Sequence, residues 1–590
     1  MACAVLNLAI CQINGGRRTM KLQSIRFCPR TALCLICLLF GSSLFGQDGK
    51  DGTAVEIATK TIRPQQIRSH MRFLSDSLLE GRAPGTSGYD IAAHYVASEL
   101  EGMGLQPAVS GNWYQPVPLV KAVTDAKAST IELTAGGKKR KLVDAKDYVL
   151  FTWFASTANG ESKAESDVSA PVVFVGFGVT APDQNYDDYA GVDVRGKIVF
   201  AIYGAPSAFP STERAYYSDL VVKAKTAAAH GAIGALSIML PEDQKRFPWD
   251  WFVPQIQVGE MRWLDQNGVP HDFLPQLRGN ALLSQHGAEV LFAGAPKSLE
   301  EVFTSARASK PQAFALPVSA HIHTVANQSV IRSSNIVGEL QGSDPALRDQ
   351  YVVYTAHLDH LGICPPVEGD NICHGAIDNA SGSAALLEIA DAFTHLPRPR
   401  RSVLFVFVTG EEMGLLGSDY FANFPIVPLK SMVANVNIDE APGAYFPMKD
   451  VVALGAEHST LGGVVDAAAK MMDYEVSPDP LPEEVSFVRS DQYSFVLRGV
   501  PAVEIEDGVT STDPNINGLE VIKRWNVTRY HTPLDNMEQP INFDSMAKGA
   551  VMNFLVGYQL AQRDSAPEWN QGDFFGAKFG PKHTGADAGQ

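Results

Sequence analysis

The stretch VLFVFVTGEEMGLLGS, Val403 to Ser418, decides the fold. Six apolar residues in succession are the mark of a strand buried on both faces, as in a parallel sheet covered by helices. The run stops at Thr409 and Gly410, and two carboxylates, Glu411 and Glu412, follow at once. Like charges side by side at the rim of a core repel each other unless something positive faces them.

Working outward, the same pattern recurs. SNIVGEL (Ser334 to Leu340), YVVYTAHLD (Tyr351 to Asp359), VANVNIDE (Val433 to Glu440) and PAVEIED (Pro501 to Asp507) read as further buried strands. Helical text lies between them, as in SAALLEIADAF, where Leu386, Ile389, Ala390 and Phe393 make one apolar face. Upstream, IRSHMRFLSDSLL and YDIAAHYVASELEGMGL have helix spacing on either side of the turn-rich RAPGTSG. From about Val120 to Ala326 the character changes to short β-rich runs, PVVFVGFGV, KIVFAIYGA and AIGALSIML, with one helix-like stretch, YSDLVVKAKTAAAHGA. The expected fold is therefore α/β, a mixed and mostly parallel sheet flanked by helices. It is expected in two parts, residues 47–119 and 327–563, around a β-rich insert at 120–326, with a loosely held tail at 564–590.

The chain has 590 residues, too many for one typical core. Residues 1–46 read as a cleaved secretory signal: basic Lys21, Arg26 and Arg30, an apolar segment from Thr31 to Phe45, then small residues before Gln47. Met20 gives that leader a more conventional start than Met1. The apolar segment is shorter than the roughly 20 residues a bilayer span needs, so no stable membrane insertion is expected after cleavage. Five of the seven cysteines lie in the leader, leaving Cys364 and Cys373, which are expected to close a disulfide in an oxidising compartment, secreted or periplasmic. Without the leader the chain carries 43 basic against 65 acidic residues, net −22, which argues against nucleic acid as a partner.

Acidic and histidine residues fall where the strands end. YVVYTAHLDHLG delivers His357, Asp359 and His360, and GAIDNASGS delivers Asp378 at a helix start. VTGEE delivers Glu411 and Glu412, NVNIDE delivers Asp439, and RYHTPLDN delivers His531. In an open α/β sheet ligands bind outside the carboxyl ends of the strands, so these segments can share one cleft. Imidazole and carboxylate donors without cysteine suit a catalytic zinc-type ion. Two histidines and three carboxylates are too many for one open site but fit two Zn2+ ions if Asp378 bridges. His357 and Asp439 would then hold one ion, and Glu412 and His531 the other. Glu411, left uncoordinated, becomes the general base. Asp359, two residues beyond His357, is placed to accept the imidazole N–H and orient the ring.

The segments AHLDHLG, GAIDNASG, TGEEMGLLGS, NIDE and YHTPLDN, with LLEGRAPGTSGYDIAAHYVASELEGMGL near the start, closely resemble the co-catalytic di-zinc aminopeptidase family, whose wider relatives include glutamate carboxypeptidase and the transferrin receptor. That resemblance implies the same metal ligands, His357, Asp378, Glu412, Asp439 and His531, and the same base, Glu411. It also implies that the insert, through DDYAGVDVRGKIVFAIYGAP, is a protease-associated (PA) domain. RSDQYSF departs from the pattern with Gln492 where relatives commonly carry histidine, leaving Tyr493 and Tyr530 as candidate oxyanion donors. NIDE is a second departure, with Glu440 and Ala441 where methionine is more usual. The expected function is a secreted, zinc-dependent metallo-exopeptidase acting on peptide substrates, an aminopeptidase first. The alternatives are a carboxypeptidase or dipeptidase on the same site, and a receptor-like binding protein without catalysis.

Overall fold

The computed structural model describes residues 7–10, 21–24, 52 and 54–581, except 159, 161 and 247. Residues 1–60 with 395–397 form one compact unit and residues 61–394 with 398–590 another. In the first, Asn7–Ile10 pairs antiparallel with Lys21–Ser24. The apolar segment of the expected leader, Thr31 to Phe45, lies outside the described residues. Among the described residues no helix is long and apolar enough to cross a membrane.

The second unit begins with α1 (Pro64–Leu74), which opens on proline, a residue whose fixed φ suits a first turn, and buries Ile67, Met71 and Leu74. Helix α2 (Ser87–Gly102) follows, its N-terminus capped by Thr86, whose hydroxyl accepts from Tyr89 N–H at 3.3 Å. Strand β1 (Tyr114–Thr124) then leads into the β-rich segment. There β2 (Thr130–Ala135) precedes β3 (Lys163–Phe174), β4 (Ile198–Ile202) and β5 (Gly234–Ile238), and helix α3 (Leu220–Ala229), between the last two, packs its alanines against β3, β4 and β5. Strands β3, β4 and β5 are parallel neighbours, and β6 (Glu260–Trp263) pairs antiparallel with β1.

Strand β7 (Phe314–Leu340) is 27 residues long and alternates buried and part-exposed positions for most of its course. Its first half pairs with β2 and β3, its middle with β1 and its end with the mostly parallel sheet that follows. Both boundaries expected from composition, near 120 and 326, thus fall inside continuous strands, β1 and β7. A shift in composition marks a change of neighbours here, not a break in the backbone.

The main sheet is built from β8 (Tyr351–His357), β9 (Ser402–Val408), β10 (Met432–Asn437), β11 (Asp450–Leu454) and β12 (Ala502–Asp507). Strands β9, β8, β10 and β12 run parallel in that order, while β7 on one side and β11 on the other are antiparallel. Every residue of β9 is buried, as the unbroken apolar run requires. Helices α4 (Gly382–Thr394) and α6 (Phe543–Gln562) flank the sheet, and α5 (Leu416–Asn423) follows the paired glutamates. Gly382 opens α4 because a Cβ there would meet Asn379 Oδ1 at 2.2 Å and the Ile438 carbonyl at 2.4 Å, closing the approach between two functional loops.

Cys364 and Cys373 are bonded, joining the two strands of a hairpin just beyond His360. The tail differs from expectation. Through residue 581 it is seated: Phe575 is buried, the Trp569 indole donates to the Gly499 carbonyl at 3.0 Å, and His458 meets Asp573 at 2.6 Å. Aromatic residues in WNQGDFFGAKF, not its glycines and lysine, decide the packing.

Candidate metal centre

The parallel strands end together, and their last residues supply the cluster. His357 is the final residue of β8 and is buried. Its Nε2 lies 3.0 Å from Asp439 Oδ1 and 3.2 Å from Asp378 Oδ1. On the other side His531 Nε2 lies 3.3 Å from Asp378 Oδ2 and 3.1 Å from Glu412 Oε2. The two oxygens of one carboxylate therefore face two different imidazoles. All five expected ligands converge: His357 from the end of β8, Glu412 and Asp439 from the loops after β9 and β10, Asp378 from the turn just ahead of α4, and His531 from the loop after Tyr530.

Surrounding groups fix these donors. Asp535 accepts from the backbone N–H of Ile377 at 2.9 Å and of Asp378 at 3.1 Å, holding the loop that carries Asp378. Ser490 Oγ donates to Asp439 Oδ2 at 2.7 Å. Arg82, fully buried, donates to the carbonyls of Leu358, His374 and Gly375 at 2.9, 2.7 and 3.0 Å, and to that of Leu74, so one guanidinium ties together the loops carrying His360 and Asp378. Burial brings its pKa down to about 10 although Asp359, Asp535, Asp378 and Glu412 all oppose this.

Two placements differ from the sequence reading. The carboxylate of Asp359 does not meet the ring; His357 Nδ1 faces the Asp359 backbone carbonyl at 3.2 Å, and Asp359 Oδ1 accepts instead from Glu411 N–H at 3.2 Å. Strand β8 stops at His357, so the two-residue alternation does not govern Asp359, two residues beyond it. His360, assigned no role from sequence, is fully buried beside Glu412 Oε1, and its Nδ1 lies 4.0 Å from Asp378 Oδ2. Position in HLDHLG could have signalled it, as the second imidazole within four residues.

The oxyanion candidates separate. Tyr493 packs among Phe487 and Phe575, with ring centroids 6.4 and 6.5 Å away, whereas Tyr530 stacks on His531 at 3.7 Å. Gln492 is buried, accepting from Asn437 Nδ2 and donating to the Phe487 carbonyl, both at 3.0 Å. It fills a structural position.

The donor chemistry fits a cation. His531 Nε2, Glu412 Oε1 and both ring nitrogens of His360 are buried without hydrogen-bond partners among the described residues, although carboxylates crowd them. Three groups, His357–Asp378–Asp439, His357–Glu411–Glu412 and His360–Asp378–Glu412, each bring three ligand atoms within 4.8 Å of one another. Burial alone would depress His357, yet Asp439 and Glu411 outweigh it and hold the imidazole well above its usual range. Burial lifts Glu411 well above the carboxylate range, reinforced by Asp439 and Glu412 and opposed by His357. Imidazoles forced to take protons and a carboxylate forced to keep one are what this much buried negative charge produces without a counter-charge; divalent cations reverse both.

Residues 335–554 match peptidase family M28. Over 461 residues, 66% of the chain, the sequence is 24% identical to the glutamate carboxypeptidase 2 homolog of Caenorhabditis elegans, covering 53% of that protein. It is 32% identical over 261 residues to a probable zinc metalloprotease of Pyrenophora tritici-repentis, covering 40% of this chain and 59% of that one. The chain thus spans only about half the length of these curated relatives. Among solved structures, the aminopeptidase from Aneurinibacillus sp. strain AM-1 shares the fold, with a TM-score of 0.50 at 18% identity over 86% of this chain and 96% of that one.

Proposed function

We propose, on the premise that residues 335–554 carry a family M28 peptidase unit, that the chain is a zinc-dependent metallo-exopeptidase, an aminopeptidase that releases N-terminal residues from peptides. The observation that carries this reading is Asp378, whose two oxygens lie 3.2 and 3.3 Å from imidazoles on opposite sides. A carboxylate so placed can bridge two zinc ions, one with His357 and Asp439, the other with Glu412 and His531. When bound, the ions would supply Lewis acidity to water and to the scissile carbonyl. Glu411 takes the proton from the attacking water and delivers it to the leaving amine, and the Asp359 carboxylate, accepting from the Glu411 backbone, holds that base in place. Tyr530, stacked on His531, is the better placed of the two tyrosines to donate to the oxyanion.

Residues 120–326 are read as a protease-associated insert, and residues 1–46 as a leader directing export. The bonded Cys364 and Cys373 favour an oxidising, secreted or periplasmic destination. A carboxypeptidase reading is favoured by one observation, the similarity to a glutamate carboxypeptidase 2 homolog over 66% of the chain.

A panel of chromogenic aminoacyl amides with N-terminally and C-terminally blocked peptides separates the two. Loss of cleavage on N-terminal blocking alone is the expected result. Loss on C-terminal blocking alone would replace the aminopeptidase reading with the other.

A further inference from the structure

A cavity of about 380 Å³ lies within the β-rich segment, and none of its lining residues belongs to the carboxylate and imidazole cluster. Strands β4 and β5 form its floor and α3 one wall, while the chain from Pro270 to Leu277 faces them. Aromatic side chains, Phe151, Trp153, Phe154, Tyr189 and Tyr203, line it as well. Its size and apolar lining are those of small-molecule sites, in which a few polar groups fix orientation.

The charged groups along it are nearly all committed. Arg262 pairs with Glu260 at 3.2 Å and lies over the Phe154 ring, 5.3 Å from its centroid. Asp272 pairs with Lys225 at 2.7 Å, and His271 with Asp419 at 3.1 Å. Lys223 is the exception. Its ammonium donates to the Ile202 carbonyl at 2.9 Å and makes no ion pair among the described residues. The acids nearest in effect, Asp188 and Asp219, already serve elsewhere. Asp188 accepts from Phe177 N–H, Val179 N–H and the Tyr186 hydroxyl, and Asp219 caps α3 through Val221 N–H and Val222 N–H. The ammonium also lies 6.0 Å from the centroid of the Tyr203 ring, and among the described residues the Ile202 carbonyl is the one hydrogen-bond acceptor it meets, of the three it can use.

We propose that this cavity binds a small apolar carboxylate, an aryl or branched-alkyl acid, whose anion pairs with Lys223 while its hydrocarbon body packs on the aromatic lining. Charge complementarity selects the anion, because an ammonium in apolar surroundings gains more from one carboxylate than from any neutral acceptor. Burial draws the Lys223 pKa down to about 7, and an anion beside it would restore full charge.

The test uses the zinc-loaded full chain titrated by calorimetry with 4-phenylbutyrate and, as the uncharged control, 4-phenylbutan-1-ol. One acid per chain should bind, at least tenfold more tightly than the alcohol. Lys223→Met should weaken the acid at least tenfold, leave the alcohol within about twofold, and leave hydrolysis at the metal cluster unchanged. Should that variant fail to fold, Ala201→Leu, which fills the floor, should abolish binding of both compounds. Equal affinity for acid and alcohol, acid binding that survives both variants, or no binding at millimolar concentration would each overturn the proposal.

Discussion

The indole N–H of Trp263 donates to Asp419 Oδ2 at 2.7 Å, joining β6 of the β-rich segment to α5, the helix that follows Glu411 and Glu412. His271 stacks on the same indole at 4.0 Å and approaches the same carboxylate, with Arg498 3.8 Å away on its other oxygen. Removing the donor leaves a part-buried carboxylate short of a partner, at about 1–2 kcal/mol for a charged acceptor. Trp263→Phe is expected to lower stability by that amount in urea denaturation and to reduce kcat more than it raises KM, because the helix it steadies, α5, follows directly on the loop of the proposed base, Glu411.

The same carboxylate predicts a pH dependence. Burial would raise the pKa of Asp419, but His271, Trp263 and Arg498 prevail and hold it below its ordinary 3.8. A depressed carboxylate contributes stability that is complete above the ordinary value and is lost as pH falls towards the folded one. Asp419→Asn should therefore show a flatter decline in Tm below about pH 4 than the parent chain.

Glu411→Gln keeps size and shape but removes the proton acceptor. Its zinc content should equal that of the parent by atomic absorption, while kcat falls by about 10²–10⁴-fold. An active Glu411→Gln enzyme would require another base.

Occupancy should follow the ligand geometry. His531→Ala removes a donor from one side only and should leave about one zinc per chain, whereas Asp378→Ala, which removes the shared carboxylate, should leave close to none. Equilibrium dialysis followed by elemental analysis distinguishes these results, and a parent chain holding a single zinc would exclude the bridging arrangement.

Arg82→Met should be among the most damaging single changes away from the ligands. It strands four buried carbonyls, each lost bond costing about 1 kcal/mol or more, so a loss of at least about 3 kcal/mol is expected in chemical denaturation.

Much of the main sheet was legible because burial on both faces leaves a simple trace: β9 is apolar from Val403 to Val408, and every residue of it is buried. Four residues of the cluster were legible for the same reason, since His357 ends such a run, Glu412 and Asp439 follow one and Asp378 stands just ahead of a helix, whereas His531 lies in a loop that no apolar run announces. What escaped depended on the path of the chain after its strands. Asp359 and His360 lie beyond the end of β8, where a two-residue period no longer says which way a side chain points. Arg82 and Asp535 act by holding the backbone of loops distant in sequence, 276 residues away for Arg82 and Leu358, and no local pattern encodes such pairing. Residues 564–581 are held more closely than their composition suggests, because composition weighs every residue alike, whereas one buried phenylalanine, Phe575, can anchor a segment.

The continuity of β7 bears on how this architecture can be inherited and engineered. Ala326 is flanked by Thr124 on one neighbouring strand and Ala164 on the other. A recombination crossover at that position would sever two rows of backbone pairing at once, so a grafted or excised insert must travel with residues 114–124 and 314–340 as a single cassette. Shuffling of this segment between homologues should succeed only at breakpoints outside those strands.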